Sequence, residues 1–306
     1  MSDSRLLTTG QMAQFAARGF LRFDAIVPES LNQAFLDDIG HTDDTADLNV
    51  REHYARIMSS SSIPAVPPGT ALDATYPPDS PMGRILALPE VAGAVQSLVG
   101  ENCLFDHHFL HLAFPPHLLG KRPLAQHTHQ DSTIDPRQAF DLQIMYYPQD
   151  VTADMGGTRF IPGTHLRVVS EAAISRYQNM LGQQHVVCEP GTILFLHHGV
   201  WHGGGANNSD RLRYMFKIRL CPTAPQVRLW DTSDLNDAQP QRPIYWLDEQ
   251  PDPNSVHTVL TTPEPWQEND TGRLDYLNRI RFWRYLTGDK SFDADYWLTR
   301  VENEQA

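Results

Sequence analysis

Two histidines and an aspartate occupy alternate positions in the segment AQHTHQDSTID, as His127, His129 and Asp131. Alternate residues of a β-strand lie on one face of a sheet, where imidazole nitrogens and a carboxylate oxygen could bind a divalent metal ion. Because the chain has 14 histidines, a His-x-Asp pair also arises by chance. His41 and Asp43 in GHTDDTAD form a second pair, which we predict to lie in a polar surface loop. A metal site therefore needs a third ligand from elsewhere.

The candidate third ligand is His202, in the segment GTILFLHHGVWHGGGANNSDRLRYMFKIRL. The alternation from residue 192 to 202 predicts one strand, and the three glycines after His202 would allow backbone or substrate to approach closely. A second strand returns with Arg211, Arg213 and Met215 on one face. The predicted hairpin places a histidine beside a basic side chain.

Two histidines and one carboxylate are the ligand set of non-haem Fe(II) oxygenases. Such a triad covers one face of an octahedron, and three positions stay open for a bidentate 2-oxo acid and dioxygen. A buried arginine nearby would pair with the distal carboxylate of 2-oxoglutarate through two parallel hydrogen bonds. The sequence contains all of these parts.

Short strands separated by turns would have to position these residues. An N-terminal region with the helical segments GQMAQFAAR, VPESLNQAFLDDIG and LPEVAGAVQSLVG, the short strand FLRF and a loop rich in Ser and Pro (59–81) comes first. The strands predicted after it are NCLFDHHFLHLAF, FDLQIMYY, TRFI, HVVCE, GTILFLHHGVWH and RLRYMFKIRL. Such strands, without long helices between them, favour an antiparallel barrel or sandwich over a doubly wound sheet.

The C-terminal part differs in composition. It contains the tryptophans at positions 230, 246, 266, 283 and 297, and the segments GRLDYLNRIRFWRYLTG and SFDADYWLTRV are predicted helices. The aromatic residues either pack this extension onto the core, cover the pocket or form a dimer contact. We predict a single domain, 1–306, with a helical N-terminal part (1–100), a β core (101–223) and a Trp-rich extension (224–306).

Composition limits the function classes. The chain has 306 residues, a net charge of −13 and 41% apolar residues, so a nucleic acid or an anionic membrane is not an expected partner. Its three cysteines show neither metal-ligand spacing nor a disulfide framework, which is typical of a reducing compartment. We find no signal-peptide pattern and no apolar run of roughly 18 residues. The expectation is a soluble, cytoplasmic protein.

Three segments in this order, HTHQDS, MGGTRFIPGTH and WHGGGANNSDRLRY, resemble the phytanoyl-CoA dioxygenase family of Fe(II)/2-oxoglutarate-dependent oxygenases. The resemblance covers about Leu7 to Pro222. It implies a fold that is mainly β with flanking helices, around a double-stranded β-helix (jelly-roll, cupin-like) core. It also implies Fe(II), 2-oxoglutarate and dioxygen as cofactor and cosubstrates.

The resemblance assigns roles to single residues. It makes His129, Asp131 and His202 the metal ligands and catalytic residues. It makes Arg213 the partner of 2-oxoglutarate by its spacing after His202, with Arg211 as a close competitor. The family often has a tryptophan near Tyr146, which is therefore a candidate for the 2-oxoglutarate pocket. Gln143 on the same predicted strand is a candidate for a hydrogen bond to the cosubstrate.

Other histidines have less specific expectations. His165 belongs to the turn PGTH and is expected to be structural. His127 could be a ligand, as in cupins, or a pocket residue. The predicted strand face that contains His107, Phe109 and His111 could line the cavity or its rim. His198 shares the parity of His202 and is a pocket candidate.

The leading function is hydroxylation of a C–H bond in a small, partly apolar organic molecule, with release of succinate and CO2. One alternative is a cupin-like metal-dependent dioxygenase or isomerase that uses no 2-oxoglutarate. Another is a non-catalytic binding protein on the same fold. A small-molecule substrate is the expected partner, and a homo-oligomer stays possible.

Overall fold

The computed structural model describes residues 4–132, 135–136, 141–235, 252–268 and 272–292. Its helices are α1 (Thr9–Arg18), α2 (Glu29–Ile39), α3 (Val50–Ile57), α4 (Leu72–Thr75), α5 (Pro81–Leu86), α6 (Pro89–Val99), α7 (Pro116–Leu119), α8 (Glu171–Ile174), α9 (Val256–Thr261) and α10 (Gly272–Thr287), with 3₁₀ turns at Ala153–Met155 and Thr164–Leu166. Its strands are β1 (Phe20–Phe23), β2 (Thr70–Ala71), β3 (Leu104–Ala113), β4 (Leu142–Tyr147), β5 (Thr158–Phe160), β6 (Gln184–His185), β7 (Thr192–His197), β8 (His202–Gly204) and β9 (Arg213–Cys221).

The strands form two antiparallel sheets. The large sheet has the order β1-β7-β4-β9-β3-β2, and the small sheet has the order β6-β5-β8. This β core with flanking helices agrees with the predicted fold class. Strand β1 comes from the predicted helical N-terminal part but pairs with β7, so that part also contributes to the core sheet.

The alternation of strand residues separates two apolar layers. On one face of the large sheet Tyr146 and Phe216 pack against Phe35 of α2. On the other face Met145 and Met215 belong to a second apolar cluster. That cluster also contains residues of the small sheet and its loops, such as Phe160, Val186 and Val200. The second layer therefore lies between the two sheets.

Helix α1 shows how local sequence sets an element. The Thr8 hydroxyl accepts a hydrogen bond from the Gln11 backbone N–H, and the Gln11 side chain accepts one from the Thr8 backbone N–H. This reciprocal pair is a capping box. The helix ends at Gly19, whose φ of 77° is left-handed, a conformation that glycine adopts without steric cost. The helix begins one residue before the predicted segment GQMAQFAAR, and its last helical residue is the last residue of that segment, Arg18.

The described part of the C-terminal extension packs beside α1. Trp283 of α10 is fully buried, with its ring centroid 5.6 Å from that of Trp230. The indole N–H of Trp230 donates to the Thr9 hydroxyl, and Arg18 pairs with Glu264 at 2.8 Å. Trp246, Trp297 and most of SFDADYWLTRV lie outside the described residues. No described helix is long and apolar enough to span a membrane.

The single strand predicted from residue 192 to 202 was wrong. Strand β7 ends at His197, residues 198–201 form a turn, and β8 begins at His202 in the other sheet. The Val200 N–H donates to the His197 carbonyl within this turn. Helix α3 was also not predicted, because its sequence VREHYARI is mostly polar and only His53 and Ile57 are buried.

Candidate metal centre and its cavity

The side chains of His129, Asp131 and His202 converge, and their candidate ligand atoms all lie within 4.8 Å of one another. The Nε2 atoms of His129 and His202 lie 3.8 Å and 3.6 Å from the nearer carboxylate oxygens of Asp131. These separations exceed ordinary hydrogen-bond lengths. The donor set fits a divalent ion bound by two imidazoles and one carboxylate. Within the described ranges, no other group of three such side chains converges.

Backbone carbonyls orient both imidazole rings. Nδ1 of His129 lies 3.0 Å from the His127 carbonyl oxygen, and Nδ1 of His202 lies 2.9 Å from that of Val200. A carbonyl only accepts, so each Nδ1 carries the proton and each Nε2 keeps a lone pair. Ligand histidines commonly donate their second N–H in this way. Burial lowers the pKa of His202 to about 4, so this ring is neutral at pH 7, as metal binding requires.

Main-chain pairing brings the two ligand segments together. The N–H of His129 donates to the His202 carbonyl, and the N–H of His202 donates back to His129, at 2.9 and 2.8 Å. The N–H of Asp131 donates to the His198 carbonyl. Beside this pairing, a Cβ on Gly203 would lie only 2.9 Å from the His127 carbonyl oxygen. The glycine after His202 therefore allows the close approach of the segment that carries His129.

The Asp131 carboxylate is surrounded by positive or donating groups. Burial raises its pKa, but the protonated form of His202 and the Lys217 ammonium outweigh this effect, and the pKa lies well below its usual value. The Gln143 amide also donates to its Oδ2 at 2.5 Å. Asp131 is therefore ionised at neutral pH and held in one orientation, as a carboxylate ligand must be.

A cavity of about 460 Å³ opens onto the three side chains. Its wall includes Met145, Met215 and Thr158, with Arg213 and Lys217 as its basic residues. No described residue after Lys217 contributes to this wall. The described part of the Trp-rich extension therefore packs against the core and does not cover the pocket.

Arg213 and Arg211 have different surroundings. Arg213 is 5% exposed, and its Nη1 donates a hydrogen bond to the Met155 carbonyl at 3.2 Å. Its Nε is buried without a partner, and burial lowers its pKa. Arg211 instead pairs with Asp150 at 2.9 Å and Asp43 at 3.2 Å, outside the cavity wall. The geometry thus leaves Arg213 available for an anion and commits Arg211 elsewhere.

Two other candidates lie elsewhere than the sequence suggested. Tyr146 is on the opposite face of β4 from the cavity, and its hydroxyl donates to Asn32 at 2.5 Å. It cannot contact a molecule in this cavity, so its expected role is corrected. Gln143 is near the site, but its amide bonds Asp131 and it is not part of the cavity wall.

Tyr147 and Thr158 were missed. The Tyr147 hydroxyl forms a hydrogen bond of 2.9 Å with the Thr158 hydroxyl, and Thr158 lines the cavity. Tyr147 also lies close enough to Arg213 to raise the pKa of its guanidinium. The alternation of side chains along the predicted strand FDLQIMYY could have identified Tyr147. Gln143 and Tyr147 lie on one face of this strand, and Tyr146 lies on the other.

The other histidines have separate environments. His127 is exposed, and its carbonyl oxygen lies 3.0 Å from Nδ1 of His129. Phe109 and His111 line the cavity, whereas His107 pairs with Asp106. Buried His165 bonds the Ala16 carbonyl through Nε2, and His198 is buried close to Asp131. His41, predicted to be at the surface, is largely buried and packs on Tyr214.

The chain is similar to a known protein family and to several solved structures. Residues 3–215 match the family model described as phytanoyl-CoA dioxygenase (PhyH). No curated protein matches.

Solved structures similar to this chain include the non-heme alpha ketoglutarate dependent epimerase SnoN from nogalamycin biosynthesis (18% identity, TM-score 0.48, 69% of this chain and 80% of that chain). HygX from Streptomyces hygroscopicus with nickel and 2-oxoglutarate bound has 14% identity and a TM-score of 0.48, over 72% of this chain and 90% of that one. The non-heme monooxygenase ThoJ in apo form has 18% identity and a TM-score of 0.47, over 89% and 96%.

Proposed function

The chain belongs to the phytanoyl-CoA dioxygenase family of non-haem Fe(II)/2-oxoglutarate-dependent oxygenases, and from that premise we propose that it hydroxylates a C–H bond of a small organic molecule. The observation that carries the proposal is the convergence of His129, Asp131 and His202 on one cavity that also holds a buried arginine. Bound Fe(II) would supply dioxygen activation coupled to conversion of 2-oxoglutarate into succinate and CO2.

His129, Asp131 and His202 would hold the iron in this proposal. Nε2 of each ring is free because Nδ1 donates to a backbone carbonyl. Gln143 orients Asp131 through its amide. Three protein ligands would leave coordination positions for the cosubstrates, and the three side chains line the cavity.

Arg213 would bind the distal carboxylate of 2-oxoglutarate. A buried guanidinium without a paired acid is costly unless a ligand supplies the negative charge, and a planar carboxylate matches its donors. The Thr158 hydroxyl, which pairs with Tyr147 and lines the same cavity, would be a further hydrogen-bonding group for the cosubstrate. Met145 and Met215 would exclude water from the part of the cavity between Arg213 and the metal ligands.

The test is an anaerobic titration of the metal-free protein with Fe(II), with and without 2-oxoglutarate. The expected result is a weak visible charge-transfer band that needs both components. His202→Ala should abolish the band, and Arg213→Met should weaken it. Succinate should then form from 2-oxoglutarate under air.

Different failures of this experiment support different functions. Iron binding without the band would overturn the use of 2-oxoglutarate and favour a cupin-like dioxygenase or isomerase. No iron binding would favour a non-catalytic protein on the same fold. Hydroxylation itself would be checked by mass spectrometry under ¹⁸O₂, since a hydroxylated product carries one labelled oxygen.

A further inference from the structure

A second cation in the cavity has no role in the function proposed above. Lys217 follows Arg213 and Met215 on the same face of β9, and its side chain is 12% exposed. Its ammonium nitrogen lies 3.8 Å from Oδ2 of Asp131. Within the described ranges, Asp131 is the acid that pairs with it.

The charges around the metal ligands leave Lys217 unbalanced in the loaded enzyme. The two positive charges of Fe(II) and the one of Arg213 are matched by one negative charge on Asp131 and two on 2-oxoglutarate. A bound metal ion would also take over the Asp131 oxygens that now face the ammonium group. A largely buried ammonium group without a counter-charge is unfavourable.

Among the described residues, the neighbouring acids other than Asp131 form no ion pair with Lys217. Asp106 and Asp141, near the next inward position of β9, both pair with Arg219, at 3.1 and 2.5 Å. Burial, together with the charges of Lys217 and Arg213, lowers the pKa of His111 to about 4, so this cavity residue is neutral at pH 7. Within the described part of the chain, Lys217 therefore has no acidic partner other than the metal-site carboxylate of Asp131.

The rest of the cavity wall near its opening is apolar. Phe109 is directly opposite Lys217 across the β3–β9 pair and is 57% exposed. Phe114, Leu119 and Leu124 line the same cavity, and the last is 86% exposed. Exposed apolar side chains around a concave site are typical of a surface that binds an apolar ligand.

We propose that Lys217 binds a carboxylate group of the primary substrate, and that this substrate is a small amphipathic monoanion whose apolar part contacts the rim formed by Phe109, Phe114, Leu119 and Leu124. The inference rests on the proposed function, because it assigns the substrate class of the same site. The ammonium and the carboxylate complete the charge balance, while the rim contacts the remainder of the molecule.

The test measures binding to protein loaded with Ni(II) and saturating 2-oxoglutarate, so that the metal positions and Arg213 are already occupied. Isothermal titration calorimetry compares 4-phenylbutanoate with 4-phenylbutan-1-ol, which has the same apolar part without the charge. The variants are Lys217→Met and Lys217→Arg. Lys290→Met is the matched control, since Lys290 is exposed and lies away from the cavity wall.

We expect the wild-type protein to prefer the acid over the alcohol by roughly tenfold or more, as a charge-assisted hydrogen bond would give. Lys217→Met should lose that preference with alcohol affinity unchanged. Lys217→Arg and Lys290→Met should keep the preference, and the unchanged alcohol affinity of Lys217→Met shows that this variant is folded.

Other results overturn the proposal. No preference for the acid in the wild-type protein, or an equal preference in Lys217→Met, contradicts a carboxylate-binding role. If Lys217→Met weakens 2-oxoglutarate binding and keeps the acid preference, Lys217 serves the cosubstrate. Ni(II) and 2-oxoglutarate are titrated first, so a wild-type protein that binds neither contradicts the proposed function, separately from the role of Lys217.

Discussion

At the scale of single residues, the three candidate metal ligands are oriented by neighbouring groups outside the triad. Each imidazole is oriented by a carbonyl, and Asp131 is oriented by Gln143. Such supporting hydrogen bonds commonly change metal affinity by 10- to 100-fold when removed. They are also the contacts that a sequence motif does not reveal.

Gln143→Leu should weaken Fe(II) or Ni(II) binding by roughly 10- to 100-fold. The substitution removes the amide N–H of β4 that donates to the Asp131 carboxylate. Calorimetric titration of the metal would measure it. Tyr146→Phe is the control on the same strand, because its hydroxyl bonds Asn32 on the other face. Equal metal affinities for wild-type protein and Gln143→Leu would contradict the orienting role.

Arg213→Met should raise the Kd of 2-oxoglutarate by roughly 10- to 100-fold with little change in metal affinity, because a charge-assisted contact is lost. The anaerobic visible titration gives this Kd. Arg211→Met removes a guanidinium two residues away that pairs with Asp150 and Asp43, so it should leave the Kd unchanged. The reverse result would assign the cosubstrate to Arg211.

At the scale of elements, the closeness of β8 to the His129 segment determines whether the ligands meet. A Cβ on Gly203 would lie 2.9 Å from the His127 carbonyl and 3.1 Å from Arg159 Nη2, whereas one on Gly204 has no neighbour closer than 3.6 Å. Two adjacent glycines therefore differ in the space available for a methyl group.

Gly203→Ala should lower both thermal stability and metal affinity, because the His127 backbone must move and His129 moves with it. Gly204→Ala should change both much less. Differential scanning fluorimetry and metal titration on the two variants would check this. Similar effects of the two substitutions would show that the backbone approach at Gly203 is not what sets the ligand positions.

Strand alternation in the sequence predicted much of this arrangement. It placed Gln143 and Arg213 on strand faces that the structure directs to the site, and the same alternation already separated Tyr146 from Gln143. Lys217 lies an even number of residues after Arg213 on the same predicted strand, so its location on the cavity face was also predictable from the sequence. The turn at 198–201 was not, because HHGVWH keeps an alternating pattern through the change of sheet.

At the scale of the whole molecule, the family and the fold class were predictable because several separate segments carried the same pattern. The family match over residues 3–215 confirms that prediction. The three-part division of a single domain stays a prediction. The packing of the extension beside α1 was one of several open alternatives, since aromatic content alone does not state which surface an aromatic residue covers.

Buried histidines couple the fold to pH. Burial lowers the pKa of His108 and His111 to about 4 and of His165 and His198 to about 3, whereas an unfolded chain binds protons near pH 6.5. Between these values the unfolded state binds more protons, so stability falls as pH falls. Asp131, whose pKa is lowered, loses its contribution only below about pH 4 and does not oppose this trend.

The Tm of the metal-free protein should therefore fall by roughly 5 °C or more from pH 7 to pH 5. Scanning calorimetry at both pH values would measure it. His165→Gln, which keeps an N–H donor for the Ala16 carbonyl, should show a smaller fall. A Tm that stays constant or rises between pH 7 and pH 5 would contradict this coupling.

The carbonyl that orients His129 belongs to His127, whose own side chain is exposed. Every amino acid supplies the same carbonyl, so selection acts on the backbone of position 127 and hardly on its side chain. Position 127 is thus expected to vary freely among close relatives while the imidazole beside it keeps its orientation. His127→Ala should accordingly leave metal affinity unchanged in the titrations above.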